Sequence, residues 1–197
     1  RKSPFVVPMC GSGTLAIEAA LLATDKTPGM FRMNYGFMHI IGYDEQVFFE
    51  ERRKLKEKAK KEIDFRIVAT DHSEDAIDIS IKNAKTAGVD HLIDFSVCDF
   101  ADTEVPEAAG IVIFNPEYGE RLGVHTKLEA TYKRIGDFMK QKCKGYRGYI
   151  FTGNPDLAKK IGLRASRRIE FYNGKLDCRL LEYELYEGSK REPKPES

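Results

Sequence analysis

The sequence predicts an α/β fold in which a doubly wound, mostly parallel sheet of seven strands ends in an antiparallel hairpin. Three observations support this prediction. Short apolar runs alternate with longer helical patterns, which is typical of successive βα units. A glycine-rich turn follows the first apolar run and opens the first helix. Near the end of the chain, an Asn-Gly pair at 173–174 separates two strand-like runs and predicts a hairpin.

The elements follow in the order β-α-β-α-β-β-α-β-α-β-β, with one further helix in an insertion. The strands are short runs of β-branched and aromatic residues, predicted at 5–7, 66–71, 94–99, 110–114, 147–151, 167–172 and 179–186. The helices show helix-forming residues with apolar periodicity or a charged face, and are predicted at 15–23, 46–62, 73–87, 126–143 and 156–161.

Several local signals justify these bounds. The first helix is rich in alanine and leucine, so we expect it to be buried. The insertion at 25–62 begins with aromatic residues and ends in a highly charged helix, typical of a solvated helix face. Ser73 is expected to cap the helix that ends at Gly88, a favourable C-terminal stop. The run 110–114 is almost wholly apolar, as a central parallel strand should be.

Length and composition exclude several classes of protein. The 197 residues, 42% hydrophobic and 32% charged, predict a single domain over 1–187 with a disordered polar tail at 188–197. The net charge of +1 gives no overall attraction to nucleic acid or membranes. The four cysteines and four histidines are scattered without a CxxC pair, so no metal site is expected. No membrane span or signal peptide is visible, and we expect a cytoplasmic monomer.

The candidate functional residues lie where predicted strands end, which is where doubly wound sheets bind ligands. The first strand runs into Gly11-Ser12-Gly13, where glycines permit a tight turn and close approach of a ligand. The turn lacks the Gly-Lys-Ser/Thr ending of a phosphate loop, so an NTPase is disfavoured. It matches the dinucleotide pattern G-x-G-x-x-A, which leaves a dehydrogenase as a distant alternative, and a purely structural turn is a further alternative.

Two acids end the next two strands. The carboxylate of Asp71 can accept hydrogen bonds from a ribose diol, and that of Asp99 from an adenine amino group. The alternatives are a helix-capping acid for Asp71 and a solvated loop acid for Asp99. A glycine turn and two acids at three successive strand ends form a more specific pattern than any one of them.

The fourth strand ends in Asn115-Pro116-Glu117-Tyr118, which suits a planar base with an exocyclic amino group. The Asn115 side-chain oxygen and the Pro116 carbonyl can accept its two N–H bonds, and Tyr118 can stack on the ring, worth about 1–3 kcal/mol per base. The alternative is an ordinary Asn-Pro turn.

Taken together, these residues resemble a known family. The chain is similar to the catalytic domain of Rossmann-like, S-adenosylmethionine-dependent class I methyltransferases. More narrowly, it resembles the ribosomal RNA guanine-N2 methyltransferases of the large subunit, earlier named N6-adenine-specific DNA methylases. The matching stretches are PMCGSGTLAIEAALLA, PGMFR, ATDHSEDAIDISIKNAKTAGV, NPEYGERLG, TGNPDLAKKIGLRASRR and NGKLDCRLLEYELY.

The resemblance implies methyl transfer from S-adenosylmethionine to the N2 amino group of a guanine in 23S ribosomal RNA. It implies that Asn115, Pro116 and Tyr118 hold the target base. It also implies that Gly11 and Gly13 line the methionine part of the cofactor, that Asp71 holds the ribose and that Asp99 holds the adenine. The full set of implied cofactor-binding residues is Pro8, Cys10, Gly11, Gly13, Thr14, Asp71, His72, Asp99, Phe100 and Asn115.

Two positions depart from the family pattern. Val7 stands where the family has an acid, and Glu117 stands where it has a second proline. The family's N-terminal RNA-binding domain is also expected to be absent, since the chain starts at the first strand. These departures leave open a catalytically inactive module that binds cofactor or RNA. A further alternative is an adenine-N6 methyltransferase acting on nucleic acid, because the Asn-Pro-x-Tyr pattern also suits adenine.

Basic residues are concentrated late in the chain. Residues 133–168 contain eleven Lys and Arg and only two acids, whereas 90–107 contain six acids and no Lys or Arg. This asymmetry predicts that the ribosomal RNA backbone binds through the basic residues of 133–168. The alternative is a charged surface with no partner.

Overall fold

A computed structural model describes residues 2–117, 125–174 and 176–186. Within them, one sheet contains seven strands: β1 (Phe5–Pro8), β2 (Ile67–Asp71), β3 (Ile93–Val97), β4 (Ile111–Phe114), β5 (Arg147–Thr152), β6 (Arg167–Asn173) and β7 (Leu176–Glu184). Their order across the sheet is β3-β2-β1-β4-β5-β7-β6. Strand β7 is antiparallel to both of its neighbours, and the other adjacent pairs are parallel. The predicted fold class is confirmed.

Helices cover both faces of this sheet: α1 (Thr14–Ala23), α3 (Glu74–Ala87), α4 (His125–Lys142) and α5 (Pro155–Lys160). Helix α2 (Glu45–Lys58) lies in the insertion. Consecutive residues of β1 point to opposite faces, as strand geometry requires. Val6 packs into the core cluster that includes α4 and α5, and Val7 into the cluster that includes α1 and α3. The central strands are therefore buried on both faces, which explains their apolar sequences.

The ends of α3 confirm the predicted capping residues. The Ser73 hydroxyl accepts a hydrogen bond from the Ala76 N–H at 3.3 Å. Gly88 adopts the left-handed conformation at φ 67°, and its N–H bonds back to the last turn of the helix. Because these caps fix both ends of α3, they also fix the face that α3 presents to α1.

Two predicted bounds differ from the structure by three residues or more, and the others by one or two. Helix α2 ends at Lys58 rather than at 62, because the chain turns so that the Lys60 N–H donates to the Thr24 carbonyl at 2.7 Å. Strand β7 begins at Leu176 rather than at 179, because the hairpin register pairs Asn173 with Leu176. Asn173 is therefore the last residue of β6 and not part of the turn, and Gly174 follows it with φ 62°. The predicted tail, 188–197, lies outside the described residues.

The insertion at 25–62 forms an aromatic cluster outside the two core clusters. The rings of Tyr35 and Phe37 stack at 5.3 Å between centroids, and Phe48 packs against both. Helix α2 buries none of its residues fully, as its charged sequence predicts. Within the part of the chain that the structure describes, no helix is both long and apolar enough to cross a bilayer.

We predict that Gly136→Ala destabilises the fold, although alanine normally favours a helix interior over glycine by about 1 kcal/mol. A Cβ at Gly136 would overlap the carbonyl oxygen of Ile161, at the end of α5. This backbone cannot move aside cheaply, so we expect a loss of about 1–3 kcal/mol in the free energy of unfolding, measured by urea denaturation. Gly36→Ala is the matched control, because a Cβ there meets open space. Equal stability of Gly136→Ala and the wild type would contradict this packing.

Candidate functional site

The sheet topology brings the predicted residues to one edge. Strands β3, β2, β1 and β4 are adjacent and parallel, so their carboxyl ends lie side by side. The chain order reverses between β1 and β4, which opens a crevice at this point in doubly wound sheets. The segments that follow these four strands carry Asp99, Asp71, the glycine turn and Asn115, in that order across the edge. We call this edge the carboxyl edge.

The glycine turn needs its glycines for two different reasons. Gly11 and Gly13 both have positive φ, 56° and 81°. A Cβ on Gly13 would lie 2.9 Å from the Ser80 Oγ, so this glycine permits close packing against α3. A Cβ on Gly11 would meet nothing within 4 Å, so Gly11 instead exposes its backbone to open space. The first N–H groups of α1 have no side-chain cap at Gly13.

Three side chains brace this turn from neighbouring elements. The Gly11 N–H donates to Asp71 Oδ2 at 3.0 Å, and the Ser80 hydroxyl donates to the Gly11 carbonyl at 2.7 Å. The Asn83 amide donates to the Ser12 carbonyl at 3.0 Å. Sequence reasoning missed Ser80 and Asn83. Their signal is weak: two small polar residues three positions apart, on a helix that otherwise buries Ile77 and Ala84.

Asp71 is held almost entirely inside the protein, with 10% of its side chain exposed. Besides the Gly11 N–H, its carboxylate accepts the Ser73 N–H at 3.1 Å, and His72 Nδ1 lies 3.3 Å from Oδ1. Backbone N–H groups therefore provide most of its partners, and Asp71 links the turn after β1 to the start of α3. His72 itself is largely exposed beside it.

Asp99 pairs with a residue that sequence reasoning did not single out. Its Oδ1 accepts the Ala101 N–H at 2.9 Å and Arg134 Nη2 at 2.7 Å. The Arg134 guanidinium also lies 4.8 Å from the ring centroid of Phe100, which is itself buried in the core. Burial favours the neutral carboxyl, but the Ala101 N–H and Arg134 outweigh it, so the pKa of Asp99 lies below its ordinary value.

The segment after β4 combines a buried proline with exposed polar groups. Asn115 and Glu117 are exposed, and Pro116 between them is buried. The Tyr132 hydroxyl, on α4, lies 3.4 Å from the Glu117 carbonyl and 2.9 Å from Thr152 Oγ1. Tyr132 therefore joins this segment to the end of β5. Tyr118, the predicted stacking residue, lies outside the described residues.

The remaining predicted residues lie around the glycine turn. Pro8 is buried at the end of β1, and Thr14 begins α1 with its hydroxyl 3.2 Å from that of Ser12. Cys10 Sγ lies 3.7 Å from Ser80 Oγ, and burial raises the pKa of its thiol. Val7 is almost fully buried in the α1–α3 cluster. Among the described residues, no group of His, Cys, Asp or Glu could hold a metal ion.

The basic residues of 133–168 do not form a single face. Lys142 and Lys144 lie between the end of α4 and the start of β5, at the edge opposite the carboxyl edge. Arg134 pairs with Asp99, and Lys160 with Glu129 at 3.0 Å. Arg164 lies on the loop between α5 and β6, and Arg168 lies on β6, level with Leu181 of β7 and Ile150 of β5.

Comparison with known proteins supports the geometry. The family model described as UPF0020, RMKL-like, methyltransferase domain, matches residues 1–182. The ribosomal RNA large subunit methyltransferase K/L of Syntrophotalea carbinolica is 38% identical over 194 residues, which cover 95% of this chain and 27% of that protein.

Two solved structures are also similar. SMU.472, a candidate methyltransferase complexed with SAH, is 28% identical, with a TM-score of 0.87 over 95% of this chain and 49% of that one. A predicted N6-adenine-specific DNA methylase from Listeria monocytogenes is 28% identical, with a TM-score of 0.82 over 93% of this chain and 47% of that one. The chain therefore spans about a quarter of the curated relative and about half of each solved chain.

We predict that Arg134→Gln raises the pKa of Asp99 and lowers stability in a pH-dependent way. A carboxylate whose pKa is lowered by folding adds stability above its unfolded pKa of about 3.9, and this stability is lost as pH falls through the folded pKa. Both side chains are about half exposed, so we expect a loss of up to about 1 kcal/mol at pH 7, measured by urea denaturation.

The loss should shrink as pH falls from about 4 through the lowered pKa of folded Asp99, because the protonated carboxyl no longer pairs with Arg134. Lys133→Gln is the matched control, because it removes the neighbouring exposed cation on the same helix. An equal loss at pH 7 and at pH 3 would show that Arg134 stabilises the fold by packing on Phe100 instead of by its charge.

Proposed function

Because the chain belongs to the UPF0020 family of RMKL-like methyltransferase domains, we propose that it binds S-adenosylmethionine and methylates an exocyclic amino group of a base in ribosomal RNA. One observation carries the proposal: a braced glycine turn, two acids and an Asn-Pro segment follow four adjacent parallel strands. The curated relative is named for the same class of reaction.

The residues of the carboxyl edge fit this cofactor. Open space beside Gly11 leaves room for the methionine part, and the two glycines would line it. Asp71 would hold the ribose hydroxyls, since each carboxylate oxygen has a second lone pair beyond its N–H contacts. Asp99 Oδ2 accepts no hydrogen bond within the described part of the chain, and would accept the adenine amino group.

The other predicted cofactor residues divide by exposure. His72 and Thr14 are exposed and could contact the cofactor with their side chains. Pro8 and Phe100 are buried, so we infer that they contribute through their backbone. The Cys10 thiol stays protonated at neutral pH, because burial raises its pKa, and we assign it a packing role beside the turn.

Catalysis in this proposal depends on positioning. The bound cofactor supplies an electrophilic methyl group on a sulfonium. The Asn115 side-chain oxygen and the Pro116 carbonyl accept the two N–H bonds of the target amino group and direct its lone pair at the methyl carbon. Alignment of this kind contributes up to about 7–11 kcal/mol to lowering a barrier. Transfer would form the N–C bond as the S–C bond of the methyl group breaks and S-adenosylhomocysteine leaves. The nitrogen would then lose a proton to solvent, so no strong base is needed before transfer.

The base that we propose is guanine, methylated at N2 in 23S ribosomal RNA. Adenine N6 is the second candidate, favoured by the similarity to the predicted DNA methylase of Listeria. Both bases present an amino group to the Asn-Pro segment, and identification of the methylated nucleoside by mass spectrometry distinguishes them. The target base must be unpaired or flipped out to reach the carboxyl edge.

An inactive binding module is the alternative from a different functional class. It is favoured by Val7 and Glu117, which replace an acid and a proline of the family pattern. Val7 lies in the apolar α1–α3 cluster. Asp71 and Ser80, and not residue 7, hydrogen-bond to the turn that follows β1. Glu117 is exposed, and the Tyr132 hydroxyl contacts its backbone carbonyl, which any residue at this position would provide. Within the described residues, neither departure leaves a buried side-chain polar atom without a hydrogen-bond partner.

We predict that Asn115→Ala lowers methyl transfer at least about 100-fold, because the target amino group loses the acceptor that orients it. The measurement is transfer of tritiated methyl from S-adenosylmethionine to an unmodified 23S ribosomal RNA transcript. Asn34→Ala, an exposed asparagine in the insertion, is the matched control and should keep full activity. Full activity of Asn115→Ala would refute the assigned role. A wild-type protein that binds the cofactor but transfers no methyl group would favour the inactive module.

A further inference from the structure

A cavity adjoins the carboxyl edge beside β5. Its volume is about 600 Å³, and it lies between α5, the loop at 161–166 and the strands of the hairpin. Thr152, at the end of β5, forms one wall. Because the Tyr132 hydroxyl contacts both Thr152 and the Glu117 carbonyl, this cavity lies next to the segment to which we assign the target base.

The lining of this cavity is strongly basic. It contains four cations and one acid, namely Lys159, Arg164, Arg168, Arg179 and Asp177. Two of the cations are compensated. Arg179 contacts Asp177 and lies 3.5 Å from Glu170, and Lys159 lies 2.8 Å from Asp156.

Arg164 and Arg168 make no ion pair with any residue that the structure describes, and both are exposed. The neighbouring Tyr183 adds a neutral hydroxyl: burial raises its pKa to about 12, although Arg168 opposes this effect. The cavity thus offers two uncompensated guanidinium groups and a hydroxyl donor. Guanidinium groups bind phosphate through two parallel N–H bonds, a geometry that lysine cannot reproduce.

We propose that this cavity binds the phosphodiester backbone of the RNA strand next to the target nucleotide, with Arg164 and Arg168 as its phosphate ligands. The inference rests on the proposed function, since it places the RNA strand relative to the Asn-Pro segment. A flipped base rotates about its own backbone at a cost in stacking free energy, so a phosphate contact near the target nucleotide would help to hold the strand in the flipped state. Backbone contacts of this kind fix the register of the strand without reading its sequence.

The test is the salt dependence of RNA binding. Fluorescence anisotropy would measure the affinity of a short fluorescein-labelled single-stranded RNA for the intact chain over a series of salt concentrations. For single strands, each lost phosphate contact lowers the slope of log affinity against log salt by about 0.7, so Arg164→Ala/Arg168→Ala should lower it by about 1.4. We also expect roughly tenfold weaker binding at low salt. Arg164→Lys/Arg168→Lys should recover part of the slope, because the charges remain.

Lys142→Ala/Lys144→Ala is the matched control, because it removes two exposed cations from the opposite edge of the sheet. Its slope should equal that of the wild type. An unchanged slope in Arg164→Ala/Arg168→Ala, with wild-type binding and methyl transfer intact, would overturn the phosphate site alone. A wild-type chain that binds no RNA would overturn the proposed function as well. Titration of S-adenosylhomocysteine into each variant checks that the cofactor site is intact.

Discussion

The chemistry at the carboxyl edge depends on how the turn after β1 is held against α3. Gly13 permits the close approach of Ser80. The Gly11 N–H then donates to Asp71, and the Ser80 hydroxyl donates to the Gly11 carbonyl. These two bonds fix Gly11 relative to the end of β2 and to α3 and leave one face of it open. A side chain at position 13 would push the turn away from α3. The bonds from Gly11 to Asp71 and Ser80 would then be lost, and the turn would no longer be held in a fixed position at the carboxyl edge.

Charge divides the carboxyl edge into two halves. Asp71 and Asp99 follow β2 and β3 on one side, where the proposed cofactor has hydroxyl and amino donors to satisfy. Arg164 and Arg168 line the cavity beside β5 and the hairpin on the other side, where the proposed RNA strand carries phosphates. The Asn-Pro segment after β4 lies between the two halves. The near-zero net charge of the chain conceals this division, because the acidic and basic regions cancel in the sum.

The sequence predicted the features that depend on local chemistry, and it missed those that depend on tertiary contacts. Apolar runs and the capping residues Ser73 and Gly88 identified the strands and both ends of α3. The charged pattern continues to residue 62, so the predicted helix was too long. Helix α2 ends at Lys58, because the Lys60 N–H bonds to the Thr24 carbonyl. The pairing of Arg134 with Asp99 joins residues 35 positions apart on different elements, and no periodicity or motif signals it. The basic residues of 133–168 do not share one face for the same reason.

Calorimetric titration with S-adenosylhomocysteine tests the central claim most directly, since it needs neither an RNA substrate nor turnover. We expect saturable binding with one site per chain. Asp71→Ala should lose this binding, because the same carboxylate holds the glycine turn and would bind the ribose hydroxyls. Asp75→Ala removes an exposed acid from the first turn of α3 and should bind like the wild type. Circular dichroism would establish that each variant is folded. A folded wild-type chain that does not bind S-adenosylhomocysteine, or Asp71→Ala binding with unchanged affinity, would contradict the account.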